Sequence, residues 1–412
     1  MGPDWEAVEQ RSVGPSFSIG DPALAEFFGM SGHNLAGVSV NETSAVGLTA
    51  VYRAVAIISG TIAGLPLRAY RTDSAGQRER VPSFLDNPAG PGGAYTQFEW
   101  LELVMVHLLL HGNAYLQHIY NGAGAIVGLY PILPSAVTVK PIQTAEEIAR
   151  YGGPDGAYRK WFEVRLADGS LRELTCAELT HIPGMSTDGI RGLSPIEAHR
   201  QTIASGIAGD KAAARMFGSG LLLGGLVSGD DGLSQEDAED AVAALKAKMA
   251  GADHAGDIAF INAQLKFTPW TIPPADAQFL ESRQHAVVEV CRIYGVPKQL
   301  LMEDGASTWG SGVAELLRWM ARTTLMPWTT RLEQRLSGLL SRPTMCEFDY
   351  KGLLQPAPEV EIPLLIQQQE AGILTTDEIR RMFNLAPLPA GGPAPLPAAP
   401  AGGAGSTEEV PA

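Results

Sequence analysis

Apolar side chains recur along this chain first with a helical period, then with an extended one, then again with long helical runs, and the alternation marks out its parts. Val51, Val55, Ile58 and Ile62 are spaced by four, three and four, the stripe of an amphipathic helix that Gly64 and Pro66 stop before a short strand over Leu67–Arg71. The pattern predicts a second helix from about Thr96 to His111, with Phe98, Leu101, Met105 and Leu108 facing inward and Gly112 ending it. Strand signals follow. Ala114–Tyr120 and Ile126–Ile132 flank the Asn121-Gly122 turn, and Trp161–Leu166 and Leu171–Leu174 flank Asp168-Gly169, so two hairpins are expected in one α+β body.

From Ser194-Pro195 the character changes. Ile196, Ile203, Ile207 and Ala214 lie on one face of a helix of about 23 residues, which at 1.5 Å per residue would span roughly 34 Å. A compact insert comes next: a strand over Leu222–Val227, a helix capped by Ser234 with Asp237 at the capping-box position, and strands over Asp257–Asn262 and Leu265–Thr271. Pro273-Pro274 opens another long helix carrying Leu280, Val287, Cys291 and Tyr294, and Gly295-Val296-Pro297 closes it. Two long helices around a small α/β insert describe a stalk with a module at its tip. After a Gly- and Ser-rich loop over Met302–Gly312, Val313, Leu316, Leu317, Met320, Trp328, Leu332 and Leu336 mark one more long helix, kinked by Pro327. Thr375 and Glu378 form a capping box for a last helix over Asp377–Phe383. Residues 1–44 read as an arm that is loosely held or ordered by a neighbour, and the Pro/Ala/Gly stretch from Pro387 onward cannot build a core.

Composition narrows the functional classes. The 412 residues are 45% hydrophobic, enough for a sizeable core, and the formal net charge of -15 argues against a wide basic face that grips nucleic acid. Cys176, Cys291 and Cys346 lie far apart without CxxC spacing, which fits neither a disulfide framework nor a zinc knuckle. The acidic N-terminus and the lack of any apolar run approaching about 18 residues predict neither a secretory signal nor a membrane span. His107 and His111 stand one helical turn apart with His118 nearby, but Leu108 occupies the position where the HExxH pattern needs its glutamate, so a metal-dependent hydrolase lacks its base. Gly122, Gly124 and Gly128 sit between two strands and not at the start of a helix, as a dinucleotide fingerprint requires. Neither GxxxxGK[ST] nor GxSxG occurs. No catalytic residue, cofactor or metal is expected.

Several strings stand out in order over roughly residues 45–388. They are Val51-Tyr52-Arg53-Ala54-Val55 running to Gly64-Leu65-Pro66-Leu67, Leu108-Leu109-Leu110-His111-Gly112-Asn113-Ala114-Tyr115, and Gly192-Leu193-Ser194-Pro195-Ile196. Asp276-Ala277-Gln278-Phe279-Leu280-Glu281-Ser282-Arg283 then leads to Cys291-Arg292-Ile293-Tyr294-Gly295-Val296-Pro297, followed by Leu325-Met326-Pro327-Trp328 and Arg331-Leu332-Glu333. In this order and at these separations they resemble the portal proteins of HK97-like phages and the related gene transfer agents, which implies a ring-forming portal fold, with a wing over 45–193 and 313–355, stem helices over 194–220 and 273–297 and a clip over 221–272. It further implies a tunnel loop over 298–312, a crown over 356–388 and a tail over 389–412. Ser307, Thr308 and Trp309 are then expected at the loop tip facing duplex DNA, with Lys298 as a mild positive contact, and Asp230, Asp231, Glu236 and Asp237 at a clip surface for a partner. The implied partners are eleven further copies in a twelve-fold ring, double-stranded DNA, the packaging terminase, a head–tail adaptor and the major capsid protein. No membrane is implied, and the protein would be made in the host bacterial cytoplasm and reside at one capsid vertex of the virion. Twelve helices standing about 10 Å apart leave a bore near 28 Å, which passes a duplex about 20 Å wide without clasping it. The alternatives are a minor capsid or connector protein that lines no channel and, behind it, the hydrolase built on His107 and His111.

Overall fold

The computed structural model describes residues 36–73, 76–93, 95–218, 224–229, 265–270, 276–301, 311–355 and 358–388. It divides into two units, 1–350 and 351–412. In the first, α1 (Glu42–Val46) and α2 (Thr49–Ala63) precede β1 (Leu67–Thr72) and β2 (Arg78–Val81), and α3 (Gln97–His111) leads into β3 (Asn113–Tyr120) and β4 (Ile126–Ile132). Then come β5 (Val137–Pro141), α4 (Ala145–Tyr151), β6 (Lys160–Arg165), β7 (Leu171–Leu174) and β8 (Leu179–Pro183). Both expected hairpins are present, β3–β4 and β6–β7.

The helix α2 buries Val51, Val55, Ile58 and Ile62, as its stripe requires, and packs on α3. Thr96 caps α3 through a capping box with Glu99, and Gly112 ends it in the left-handed region at φ 69°. The buried stripe of α3 runs through Trp100, Leu101, Val104, Met105 and Leu108, whereas Phe98 is exposed, contrary to the sequence expectation. Trp100 takes the inward place because its ring fills the core while its Nε1–H reaches the Leu129 carbonyl at 2.8 Å, so burial leaves no polar atom stranded.

Three small sheets surround these helices, in the orders β4-β3-β8, β5-β6-β7 and, with a strand from far along the chain, β11 (Thr344–Phe348)-β1-β2. Tyr115, Ile132, Phe162, Val164, Leu174 and Leu179 form one shared core between the first two. Local chemistry revises several expectations. The β3–β4 connection is a five-residue loop, not a two-residue Asn-Gly turn: the Asn121 side chain accepts N–H bonds from Ala123 at 3.0 Å and Ala125 at 2.9 Å, and Gly124 takes φ 79°. Val38 and Val40 are buried and α1 begins at Glu42, so 38–44 belong to the fold and not to a loose arm, because two apolar side chains and a capped turn secure them.

The first long helix is interrupted. α5 (Pro195–Ala198), capped by Ser194, ends at His199 (φ -113°, ψ 27°), and α6 (Arg200–Gly218) restarts when the Ile203 N–H bonds the His199 carbonyl at 3.1 Å. Ile196 and Ile203 are buried as expected, but further on the buried residue is Ala213 and Ala214 is exposed, since by then the partner of the helix is α7 (Asp276–Tyr294) and not the body. Between them β9 (Gly224–Gly229) pairs antiparallel with β10 (Leu265–Trp270), two residues later and one residue shorter, respectively, than the strands expected from sequence. The expected helix after Ser234 and strand over 257–262 fall outside the described residues. α8 (Ser311–Met320) passes through a π-helical turn, Ala321–Leu325, into α9 (Met326–Ser337). The distortion lies just before Pro327: lacking an N–H and crowding the preceding turn, proline forces a wider register, and the Met326 N–H bonds Ala321 five residues back.

The second unit holds α10 (Lys351–Leu354), α11 (Pro358–Glu370) and α12 (Thr376–Met382). The Thr375–Glu378 capping box is formed and starts α12 one residue before the expected position.

Candidate functional site

The two long helices, and the knot that roots them in the body, are the part of this fold that no ordinary α+β core needs. The knot starts at Gly112. Its carbonyl accepts the Gly184 N–H at 2.7 Å, and its α-carbon lies so close to the incoming chain that a Cβ there would sit 1.9 Å from the Leu193 carbonyl oxygen. The neighbouring Asn113 is buried and uses its whole amide. Its Oδ1 accepts from the Gly192 N–H at 2.7 Å and from His181 Nε2 at 2.9 Å, and its Nδ2 donates to the carbonyls of Gly192 at 2.8 Å and His111 at 2.9 Å. His181 Nδ1 in turn accepts from Lys160 Nζ at 2.7 Å, and the same ammonium donates to the Ile190 carbonyl at 2.7 Å. Burial holds the His181 imidazole down to about 2, with the nearby Lys160 charge adding to it, and burial draws Lys160 itself down to about 8. Ser194 completes the knot, donating to the Leu110 carbonyl at 2.8 Å while capping α5. The backbone leaving the body at 192–194 is thus fixed from α3, β3 and β8 together.

Along the pair, Gly206 lets α6 approach its neighbours: a Cβ there would lie 3.1 Å from a Leu48 methyl and 3.7 Å from the Ala286 Cβ. Asp210 and Arg283 form an exposed ion pair at 3.2 Å. Leu48, Thr202, Ser205, Asp210, Arg283 and His285 line a cleft of about 810 Å³ between the helices and the start of α2. The root of α7 is buried through Val290, Cys291, Tyr294 and Val296, and the Tyr294 hydroxyl donates to the Leu109 carbonyl at 3.3 Å. Gly295 takes φ 66° to end the helix, and its carbonyl accepts from the Thr324 hydroxyl at 2.5 Å, tying α7 to the π-helical turn. Since Leu48 can yield to one methyl but not to a branched side chain, Gly206→Val is expected to lower stability by about 2 kcal/mol, and Gly206→Ala by well under half of that, in urea denaturation.

Of the residues singled out from sequence, Lys298 begins a 3-10 turn, Lys298–Leu301, directly after the Gly295 cap. Ser307, Thr308 and Trp309, and Asp230, Asp231, Glu236 and Asp237, lie outside the described residues. His107 and His111 do not make a metal centre: their ring centroids are 6.3 Å apart, His107 is buried with its pKa pushed down to about 4 by burial and by the facing His111, and His111 Nδ1 instead meets Glu42 Oε1 at 3.1 Å. Among the described residues no group of three or more His, Cys, Asp or Glu side chains could hold a metal ion, and no helix is long and apolar enough to cross a membrane. The polar knot of Lys160, His181 and Asn113 has no signature in the sequence: its members are scattered over three strands, and no local spacing announces it.

The comparisons with known proteins agree with this arrangement. The model of the phage portal protein family matches residues 49–384. The chain is 31% identical over 405 residues to the probable portal protein of Streptomyces phage phiC31, covering 94% of this chain and 86% of that one. It is 27% identical over 366 residues to the portal protein of Enterobacteria phage HK97, covering 86% and 82%. Its fold is similar to a chain in the neck of a native gene transfer agent particle computed with C12 symmetry, with a TM-score of 0.53 and 22% identity, covering 84% of this chain and 92% of that one. Matched from α2 in the body to the last helix of the second unit, with the paired helices between, the chain belongs to the phage portal protein family.

Proposed function

We propose that this chain is one of twelve subunits of a closed ring at a single vertex of a phage or phage-like capsid, through which double-stranded DNA is packaged and later ejected. The observation that carries the reading is the family match across 49–384, which takes in the body, both long helices and the helical end. The C12 symmetry of the similar neck assembly supports the subunit number. In this reading the body and α8–α9 are the wing, α6 and α7 the stem around the bore, 221–272 the clip, 298–312 the tunnel loop, and 356–388 the crown. The net charge of -15 suits a conduit, because every fixed phosphate contact adds affinity that slows a moving duplex. The knot at Gly112 and Asn113 then acts as the rigid mount of the stem. Terminase and, later, a head–tail adaptor would meet the acidic clip residues, and the major capsid protein would surround the wing. The finished protein would reside in the virion.

End-on negative-stain images of the purified protein are expected to show closed rings with a central hole, twelve-fold by rotational analysis; a compact monomer or small oligomer would overturn the reading. Within such a ring, Trp309→Ala is expected to leave assembly unchanged and reduce packaged DNA at least tenfold in a complementation assay. Undiminished packaging would remove Trp309 from the channel wall.

A further inference from the structure

The helix α11 is apolar on sides that its own unit leaves uncovered. Val360, Ile362, Leu364 and Ile366 are 60%, 49%, 46% and 49% exposed, while Leu365 between them is only 6% exposed. Other positions are engaged within the unit: Glu361 accepts from Gln355 Nε2 at 2.9 Å, and Gln369 donates to the Thr376 hydroxyl at 2.9 Å. At about 100° per residue, Val360 and Leu364 share one flank, Ile362 and Ile366 share another, and the two flanks point roughly 160° apart.

We infer that these flanks are two different seats for neighbouring copies of this chain, Val360 and Leu364 of one copy covering Ile362 and Ile366 of the next. The inference rests on the ring reading above and adds to it the surfaces by which the helical end joins. Two arguments select a second copy as the occupant. In a ring of twelve side-by-side helices each helix meets its neighbours in directions about 150° apart, close to the angle between the flanks, whereas a two-fold dimer would use one flank twice. The area gives the second: half-exposed aliphatic side chains of this size offer on the order of 50–100 Å² each, so one flank falls far short of the roughly 800 Å² per partner that holds a stable pair. The seats therefore close only where larger surfaces already bring many copies together.

Cysteine cross-linking in the intact, full-length protein tests this without disturbing the fold. Ile362→Cys and Leu364→Cys are made singly and together, and each protein is oxidised and run on a non-reducing denaturing gel, with the unsubstituted chain as control. The double variant is expected to give a ladder of covalent multimers holding more than half of the protein, and each single variant to stay at the monomer position. A double variant that forms rings but no ladder, or a single variant that yields dimers, would overturn the two-seat arrangement while leaving the ring intact. If the unsubstituted protein forms no rings, the ring reading fails and takes this inference with it.

Discussion

Replacing Gly112 by alanine is expected to cost about 3 kcal/mol or more, a large share of the roughly 5–15 kcal/mol that holds a folded domain together. Two independent penalties meet at this residue. Its φ of 69° lies where a side chain costs roughly 1 kcal/mol, and the added methyl would stand 1.9 Å from the Leu193 oxygen and 2.4 Å from its carbonyl carbon. Both of those atoms are backbone, flanked by Gly192, which Asn113 holds at its N–H and carbonyl, and by Ser194, whose hydroxyl bonds the Leu110 carbonyl, so the collision cannot be relieved by a rotamer change. Gly76 provides the contrast: its φ is 78° but nothing lies within 4 Å of the added carbon, so Gly76→Ala should cost only about 1 kcal/mol. Urea midpoints of the two variants, followed by circular dichroism, check the difference. A Gly112→Ala protein within 1 kcal/mol of the parent would show that the mount of the long helices is far softer than its contacts indicate.

The second large effect is a loss of stability in mild acid. His107 and His181 are buried in their neutral forms, with folded-state values of about 4 and about 2 against an ordinary value of 6.5. The unfolded chain takes up these two protons as the pH falls through 6.5 and the folded chain does not, so stability is fully present above pH 6.5 and drains below it. The His107 contribution is spent by about pH 4, while that of His181 goes on falling towards pH 2. At pH 4 the loss should be on the order of 3 kcal/mol for each histidine. Between pH 6.5 and 5 few carboxylates titrate, and the slope there belongs mainly to the histidines. His107→Leu should remove roughly a third to a half of that slope, because leucine fills the apolar site without a proton to exclude, while His181 and His118, which burial also holds below its ordinary value, keep the rest. Urea midpoints at pH 7, 6 and 5 for both proteins measure it, and equal slopes would contradict the assignment.

What could be read from the sequence was what local chemistry encodes. The helices α2 and α3 announced themselves by apolar period and by their stops, and the β6–β7 hairpin by its Asp168-Gly169 turn. The Thr144–Glu147 capping box that begins α4 carries the same kind of local signal. Phe98 was misplaced because a helical stripe gives the face only to within a residue, and the anchoring bond from Trp100 to the Leu129 carbonyl belongs to tertiary structure. The pairing of β11 with β1 likewise has no signature near either strand. For the candidate site the division is similar: Gly112, Ser194 and Gly295 carry visible backbone signals, whereas Lys160, His181 and Asn113 meet only once three strands have assembled.

The joining of Leu67 to Phe348 in neighbouring strands has a consequence during synthesis. On the ribosome, β1 emerges early and its sheet partner about 280 residues later, an interval of roughly 15 to 55 s at the usual pace of translation. Throughout that interval one edge of β1 presents unpaired peptide groups to every other nascent chain nearby. A cell making many copies at once would therefore need a chaperone, or slow initiation, to keep half-made subunits from pairing with each other before any of them can close.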